Sequence, residues 1–431
     1  MEKIKKLVLA SFFVLPSMGV YAQTGTWSGK LNVQGITLPL VFHFDNDACT
    51  VDSPSQGVKG LKAENLSAEG NVKVSVPQIG AMFEGSLAGD TIKGTFTQSG
   101  MSLPLTLVRG EQKANRPQTP QPPFPYSTEE VTFSNDGFTF NGTLTLPSNC
   151  TSQTPVVLLI TGSGQQNRDE EIFEHKPFAV IADFLARRGI ASLRYDDRGY
   201  GDKTVRFDSF TTNDFKSDAT AALALLRNRF GKVGILGHSE GGTIALMLAA
   251  EGKADFIVSM AGMAVSGAET LIDQNRSALS SMGLPAEMVD SYCNALKKAL
   301  PQIAEGKKID EIGTDGVPAA LQPLWSKALS QSASPYMRCF ITLDPRPLLP
   351  SVHCPVLALN GTKDTQVDCE TNLGALEKGL TASKMTIRPF DGLNHLFQTC
   401  TTGNVTEYAQ IAETVSPSVL EVISTWILGI E

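Results

Sequence analysis

The stretch GHSEGG, residues 237–242, carries a serine in a G-x-S-x-G pattern. The apolar run before it predicts a buried strand, and the Ala- and Leu-rich run after it predicts a helix. A serine on such a strand-to-helix turn can act as a nucleophile when a nearby base takes its proton. Gly237 and Gly241 have no Cβ to clash where the strand and the helix approach each other. The pattern therefore indicates Ser239 as a nucleophile for acyl transfer, with an ordinary serine in a glycine-rich loop as the alternative.

The base must be one of five histidines. His43 falls on a strand of the N-terminal region, and His353 precedes a strand, which places it at the far edge of the sheet. His238 adjoins the serine, and its expected role is packing. His175 precedes a helix, where lining the pocket and capping the helix are equally expected. His395, in DGLNHLF, follows the last strand at its C-terminal end, so we predict that His395 is the base.

An acid should precede the base in the chain, at the C-terminal end of the preceding strand, to orient the imidazole. The segment PVLALNGTKDTQVD offers Asp364 and, further on, Asp368, while Asp391 belongs to the same loop as His395. We favour Asp364, because the turn after the strand carries it towards the last loop. Asp368 and Asp391 remain candidates.

Acyl transfer also needs donors for the negative charge that develops on the carbonyl oxygen. The residue after the nucleophile supplies one, the backbone N–H of Glu240. The glycine loop TGSGQQNRDE, which follows the strand VVLLI, should supply the other from Ser163 or Gly164. The predicted oxyanion hole is therefore Glu240 with one of these two residues.

The chain has two regions with different patterns of apolar and polar residues, and the elements that must position these groups lie in the second. Residues 23–109 alternate Val, Ile, Thr and Phe with polar residues, which predicts a small antiparallel β domain, a sandwich or barrel. A proline-rich stretch over 110–127 predicts an extended linker. Residues 128–431 alternate strands and helices, which predicts a doubly wound, mostly parallel sheet. Its run of helices over 265–350 predicts a cap above the strand ends, where ligands bind in such sheets.

Composition narrows the class of protein. The chain has 431 residues, a formal net charge of −8 and 42% hydrophobic residues, as expected of a globular protein of at least two domains. An acidic chain without interleaved basic and aromatic residues is a poor partner for nucleic acid. None of the seven cysteines forms a C-x-x-C pair and no histidine pair has metal spacing, so no metal and no cofactor is predicted.

The first 22 residues have the features of a secretory signal peptide. A basic start, MEKIKK, is followed by a short apolar stretch and by VYA, which has small residues at the −3 and −1 positions, Val20 and Ala22. We therefore expect cleavage near Ala22 and a periplasmic or extracellular protein. The apolar stretch is short for spanning a bilayer, so a membrane anchor is not expected, and no membrane span is predicted in the mature chain.

The motifs GHSEGG, ITGSGQQNRDE, LRYDDRGYG, LNGTKDTQV and GLNHLFQ together resemble the α/β-hydrolase superfamily, in particular bacterial exported carboxylesterases and serine-aminopeptidase-like relatives. The resemblance covers about residues 128–431 and implies an α/β-hydrolase fold with Ser239 as nucleophile, Asp364 as acid and His395 as base. The loop here opens with Thr161 where many members of the superfamily have histidine.

The resemblance implies a secreted serine hydrolase that cleaves carboxylic esters of small molecules through an acyl-enzyme. The alternatives are a peptidase that acts on short peptides, with Glu170, Glu171 and Glu174 as candidates to bind a substrate terminus, and an inert binding protein. Asp197 and Arg198 are expected to form a structural network. If the acid and base loops lie side by side, a Cys369–Cys400 disulfide could brace them.

Overall fold

The computed structural model describes residues 23–33, 36–45, 48–54, 58–68, 70–111 and 114–430. The segment interpreted as a signal peptide lies outside the described residues, so its cleavage stays a prediction. The chain divides into two compact units, with the boundary between residues 113 and 114.

The first unit is a closed antiparallel barrel of eight strands in sequential order. Its first and last strands pair with each other and close it. The strands are β1 (Gly25–Val33), β2 (Ile36–Asp45), β3 (Ala48–Ser53), β4 (Val58–Asn65), β5 (Asn71–Val76), β6 (Ala81–Ala88), β7 (Thr91–Gln98) and β8 (Met101–Arg109). Of the two predicted architectures, sandwich and barrel, the structure has the barrel.

Period-2 alternation in the sequence fills the barrel interior. In β5, Val72, Val74 and Val76 are buried, while the residues between them are only half-buried. Phe42 and Phe83 are buried opposite one another, with ring centroids 5.5 Å apart. The interior is thus a packed apolar core, because each strand sends alternate side chains to the same face.

The second unit is built on an eight-stranded sheet in the order β16-β15-β14-β13-β11-β12-β10-β9. Strands β9, β10 and β12 form antiparallel pairs, and the remaining neighbours are parallel. The strands are β9 (Tyr126–Asn135), β10 (Phe138–Pro147), β11 (Val156–Ile160), β12 (Ala191–Tyr195), β13 (Val233–His238), β14 (Ile257–Met260), β15 (Val356–Gly361) and β16 (Met385–Phe390). The predicted α/β fold with a preceding β domain is confirmed.

Helices cover both faces of this sheet. Alternate residues of β11 point to opposite faces: Leu158 belongs to one apolar cluster and Leu159 to the other. The helices are α1 (Pro177–Arg187), α2 (Thr212–Arg227), α3 (Glu240–Ala250), α8 (Cys369–Gly379), the short α9 (Val405–Tyr408) and α10 (Pro417–Leu428). Helices α2, α3 and α8 pack on the first face, and α1 and α10 pack on the second. The continuous apolar runs of the strands follow from burial on both faces.

The predicted cap is a helical layer between β14 and β15. It consists of α4 (Gly267–Ser281), α5 (Ala286–Ala304), α6 (Gln322–Gln331) and α7 (Pro335–Thr342). These helices share an apolar cluster of their own, in which the rings of Tyr292 and Trp325 meet edge to face. Among the described residues, no helix has both the length and the apolarity needed to cross a membrane.

The sequence predicts an extended linker over the proline-rich residues 110–127. From Ala114 onward it belongs to the second unit. The guanidinium of Arg116 donates to the carbonyl oxygens of Phe173, Ala409 and Ile411 at 2.8 to 2.9 Å. A guanidinium can donate to several carbonyl groups at once, so one side chain anchors this segment to the rest of the second unit.

Candidate active site

Ser239 lies on the sharp turn that joins β13 to α3, at the C-terminal edge of the sheet. Its φ angle is 55° and its ψ angle is −121°, a positive-φ backbone conformation that is uncommon for a residue with a side chain. A Cβ added at Gly237 would lie 2.0 Å from the carbonyl oxygen of Gly241, and one added at Gly241 would lie 2.1 Å from that of Ile160. The glycines of the motif are therefore required by close backbone approach.

Asp364 and His395 follow β15 and β16 and meet beside this turn. His395 Nδ1 donates to Asp364 Oδ2 at 2.7 Å, with the two residues only 4% and 7% exposed. The other carboxylate oxygen, Oδ1, accepts the backbone N–H groups of Gln366 and Val367 at 2.8 and 2.9 Å. Because Nδ1 carries the proton of this bond, Nε2 is the imidazole nitrogen that remains able to accept a proton.

The two other candidate acids lie elsewhere. Asp368 caps the N-terminus of α8 by accepting the N–H of Thr371 at 2.8 Å. Asp391 is exposed and accepts a hydrogen bond from Thr362 Oγ1. Of the three carboxylates that the sequence leaves open, the structure brings only Asp364 to His395.

A cavity of about 480 Å³ opens over Ser239, under the cap. Ser239 and His395 both line it, together with Ser163 of the glycine loop and Tyr336 of helix α7. Pockets of this size are typical of small-molecule sites. The site is thus formed between the strand ends and the cap, where ligands bind in open α/β sheets.

The glycine loop after β11 runs directly beside Ser239. A Cβ added at Gly162 would lie 3.2 Å from the Cβ of Ser239. Ser163 lines the cavity, whereas Gly164 lines a separate small void beside Tyr195 and Asp197. The structure therefore places Ser163, rather than Gly164, at the cavity.

The second predicted donor, the N–H of Glu240, belongs to the first residue of α3. The first four N–H groups of a helix have no intrahelical acceptor. The N–H of Glu240 therefore has no acceptor within the helix, and it belongs to the residue that directly follows Ser239.

Three carboxylates hold the glycine loop: Asp197 and Glu240 come from other segments, and Glu170 stands at the end of the loop itself. Asp197 accepts the N–H of Gln166 at 2.7 Å and the hydroxyl of Thr161 at 3.1 Å. Burial raises the pKa of Asp197 to about 8, against these hydrogen bonds, which act to lower it. Glu170 Oε1 accepts the N–H of Gly162 at 2.7 Å.

The third carboxylate belongs to Glu240, whose side chain is 3% exposed. It accepts hydrogen bonds from Thr212, from the Tyr336 hydroxyl and from the Ser163 hydroxyl. Burial raises its pKa above the ordinary value. The side chain after the nucleophile thus joins the glycine loop to the cap. Sequence reasoning assigned a role only to its backbone, although a carboxylate at the start of a buried helix was a signal that partners were needed.

His238 does more than the packing that the sequence suggests. Its Nδ1 lies 3.0 Å from Glu170 Oε1, and its Nε2 lies 2.9 Å from the carbonyl oxygen of His395. Burial opposes the charged form, but the Glu170 carboxylate and the bond to His395 raise the pKa of His238 above its ordinary value. Both neighbours are acceptors, so an imidazolium satisfies both of them.

The sequence profile of the alpha/beta hydrolase family matches residues 157–399, more than half of the chain. The chain belongs to this family. It is 30% identical over 278 residues to the esterase EstD of Thermotoga maritima, an alignment that covers 63% of this chain and 61% of that relative. The chain therefore spans less than two thirds of the length of the curated relative it matches.

Solved structures of low sequence identity are also similar. Est1E from Butyrivibrio proteoclasticus is 14% identical, with a TM-score of 0.41 over 69% of this chain and 97% of that one. Proline iminopeptidase from Mycobacterium smegmatis is 14% identical, with a TM-score of 0.44 over 70% of this chain and 98% of that one.

The remaining histidines lie outside the cavity lining. His175 is fully buried and contacts the Thr414 hydroxyl and the Tyr408 carbonyl oxygen, so it neither lines the cavity nor caps α1. Burial lowers its pKa to about 4, and the nearby Arg116 acts in the same direction. His43 lies in the barrel, beside Asp52.

Two further expectations have different outcomes. Arg198 donates to both oxygens of the buried Asp218, so the predicted structural network at this position is confirmed. The proposed disulfide is wrong, because Cys369 and Cys400 are both free thiols. Cys369 begins α8 and packs on the sheet core, whereas the Cys400 thiol donates to the Gly392 carbonyl oxygen at 3.3 Å. Among the described residues, no group of histidine, cysteine and acidic side chains has the arrangement of a metal site.

Proposed function

We propose that this hydrolase cleaves carboxylic esters through an acyl-enzyme formed on Ser239. The observation that carries the proposal is that Ser239, His395 and Ser163 line one cavity while Asp364 is bonded to the far nitrogen of His395. The 30% identity to an esterase supports ester cleavage as the reaction.

In the first half of the proposed reaction, Ser239 Oγ bonds to the ester carbonyl carbon as His395 Nε2 takes its proton. The carbonyl π electrons move to oxygen, which accepts the N–H groups of Glu240 and Ser163. The Asp364 carboxylate, which accepts the Nδ1–H of His395, stabilises the imidazolium. The carbon–oxygen bond to the alcohol then breaks, and the alcohol oxygen receives the proton from His395.

Water completes the cycle. His395 Nε2 takes a proton from the water as its oxygen bonds to the acyl carbon, and the same backbone donors stabilise the second oxyanion. The bond to Ser239 Oγ then breaks, Oγ regains the proton, and the carboxylic acid leaves.

The direct test compares wild-type protein with Ser239→Ala on a chromogenic short-chain ester. We expect activity to fall by at least about 10³-fold, as for removal of a nucleophile that acts with a base. A fluorophosphonate probe should label the wild type and not the variant. Wild-type turnover by Ser239→Ala would refute the assignment, and unlabelled wild-type protein would favour an inert binding protein.

A peptidase that takes short peptides is the second enzymatic candidate, and its suggested carboxylates are engaged. Glu170 is paired with His238, Glu171 lies 3.5 Å from Lys176, and Glu174 accepts the N–H of Ala114. Only Glu170 of the three is among the described residues that line the cavity, and it already faces His238 and the N–H of Gly162, which favours ester over peptide substrates. Cleavage of aminoacyl arylamides faster than aryl esters would favour the peptidase.

We also propose that the protein is exported, on the strength of its basic and then apolar N-terminal sequence. Mass spectrometry of protein recovered from the producing cells should find Gln23 as the first residue. A chain that begins at Met1 in the periplasmic or secreted fraction would contradict this proposal.

A further inference from the structure

The walls of the cavity over Ser239 carry several carboxamide side chains. We propose that the substrates are neutral esters of polyhydroxylated alcohols, such as acylated sugars. This inference rests on the proposed ester hydrolysis and names the substrate class of the same site. The amides come from the glycine loop, from cap helices α4 and α6 and from the loop after the acid: Gln166, Gln274, Asn275, Gln331 and Gln366.

The charges of the cavity exclude ionic substrates. No lysine or arginine is among the described residues that line it, and both nitrogens of His238 are engaged by Glu170 and the His395 carbonyl oxygen, so an acidic substrate group would find no free cation there. The single carboxylate of the lining, on Glu170, already faces His238 and the N–H of Gly162. Burying an unpaired charge is costly, so a neutral substrate is favoured.

The hydrogen bonds of the amides fix which of their atoms remain available. Gln166 donates its Nε2 to the Ser163 carbonyl oxygen at 3.1 Å, and Gln274 donates to that of Gln366 at 3.0 Å. Asn275 donates to the Leu271 carbonyl oxygen at 2.8 Å.

The NH₂ group of Gln366 is also used within the protein, because it donates to the Tyr408 hydroxyl at 3.1 Å. Within residues 114–430 the carbonyl oxygens of these four amides accept no hydrogen bond from the protein. The wall therefore presents a set of unused acceptors.

Gln331 is the most informative of the five amides. It is exposed at the end of α6 and lines the cavity, and its side chain makes no hydrogen bond to any described residue. Both its donor and its acceptor are thus open to a ligand. A hydroxyl group both donates and accepts, so a hydroxyl-rich substrate satisfies Gln331 and the other acceptors together.

The apolar part of the cavity wall also suits a sugar ring. Leu271, Met337 and Phe340 also line the cavity. A sugar ring presents C–H groups on its faces and hydroxyl groups around its edge, so it can contact apolar and amide walls at once. An alkyl alcohol would leave the amide oxygens without donors, and sites built for hydroxyl groups discriminate strongly against analogues that lack them.

The test compares two acetates with the same acyl group, a monoacetylated glucose and ethyl acetate. We expect wild-type kcat/KM to be at least about tenfold higher for the sugar ester, the effect of about one net hydrogen bond. Gln331→Leu should raise KM for the sugar ester about tenfold more than KM for ethyl acetate. Gln331→Ala is the second variant, in case leucine disturbs the cap.

Gln322→Leu is the matched control, because Gln322 is exposed on the same helix and outside the cavity lining. It should leave both KM values unchanged. If aryl and ethyl acetates are cleaved but the sugar ester is no better, or if both Gln331 variants change the two KM values equally, the substrate class is wrong while ester hydrolysis stands. If no ester is cleaved and fluorophosphonate does not label Ser239, the proposed function fails as well.

Discussion

The substitutions Glu170→Gln and Glu170→Ala separate the two interactions that one buried carboxylate oxygen makes beneath the cavity. Oε1 of Glu170 accepts the N–H of Gly162 and faces Nδ1 of His238. Glutamine keeps an oxygen for Gly162 but removes the negative charge. Alanine removes both the oxygen and the charge.

The burial of these two contacts sets the expected loss of stability in each variant. Removing one partner of a buried ion pair costs about 3 kcal/mol of the free energy of unfolding, and both variants should lose this amount. Alanine also leaves the N–H of Gly162 without its acceptor, for a further loss of about 1–3 kcal/mol. Gly162 adjoins Ser163, the proposed oxyanion donor. We therefore expect kcat to fall by about 10²-fold in Glu170→Ala and by less in Glu170→Gln.

The cost of losing the charge should depend on pH. Glu170 raises the pKa of His238 above its ordinary value of 6.5, so the stabilisation is complete below that pH and is lost as the pH rises through the raised pKa. The difference in free energy of unfolding between wild type and Glu170→Gln should therefore be largest near pH 5.5 and smaller at pH 9.

Urea unfolding at pH 5.5 and pH 9, with kcat measured on an aryl acetate, tests both effects. Glu171→Gln is the control, because Glu171 makes a half-exposed ion pair with Lys176. It should change the free energy of unfolding by less than about 1 kcal/mol. A stability difference for Glu170→Gln that is the same at both pH values, or equal kcat losses in the glutamine and alanine variants, would refute this reasoning.

Three further predictions concern neighbouring groups. Asp364→Asn should lower kcat on a chromogenic ester by about 10⁴-fold, whereas Asp368→Asn, at a helix N-cap, should change it little; the reverse order in steady-state kinetics would reassign the acid. Because burial raises the pKa of Asp197 to about 8, the folded protein keeps a proton that the unfolded chain releases, so the free energy of unfolding should fall as the pH rises towards 8. Asp197→Asn should flatten that fall in urea unfolding, and an unchanged slope would contradict the burial argument. Tyr336→Phe removes the hydroxyl that donates to Glu240 and should lower the free energy of unfolding by about 1–3 kcal/mol in the same measurement. Wild-type stability would mean that the bond between the cap and Glu240 contributes nothing.

Local patterns were sufficient to predict the strands of both units. Alternation of apolar and polar residues predicts strands such as β5, because half of their side chains enter a core. Uninterrupted apolar runs such as Val156–Ile160 predict strands that are buried on both faces. The sequence could not distinguish a sandwich from a barrel, because closure depends on pairing between β1 and β8, which are distant in the chain.

The candidate site was predicted as far as chain order allows. The turn at Ser239 follows from its glycines, and His395 and Asp364 follow from their positions after successive strands. The disulfide prediction failed because it relied on spacing along the chain. Cys369 lies five residues after the proposed acid and Cys400 five residues after the proposed base, but equal spacing does not bring two thiols together in space.

The sequence by itself determined the α/β order of elements, the turn at Ser239 and the candidate groups, because these depend on residues close together in the chain. Only the tertiary structure decided that Asp364 pairs with His395, that Ser163 rather than Gly164 faces the cavity, and that His238 is held between Glu170 and the base loop. Each of these contacts joins segments that are far apart in the chain. Their geometry is decided by how the sheet, the loops and the cap pack together, and no local pattern of residues encodes it.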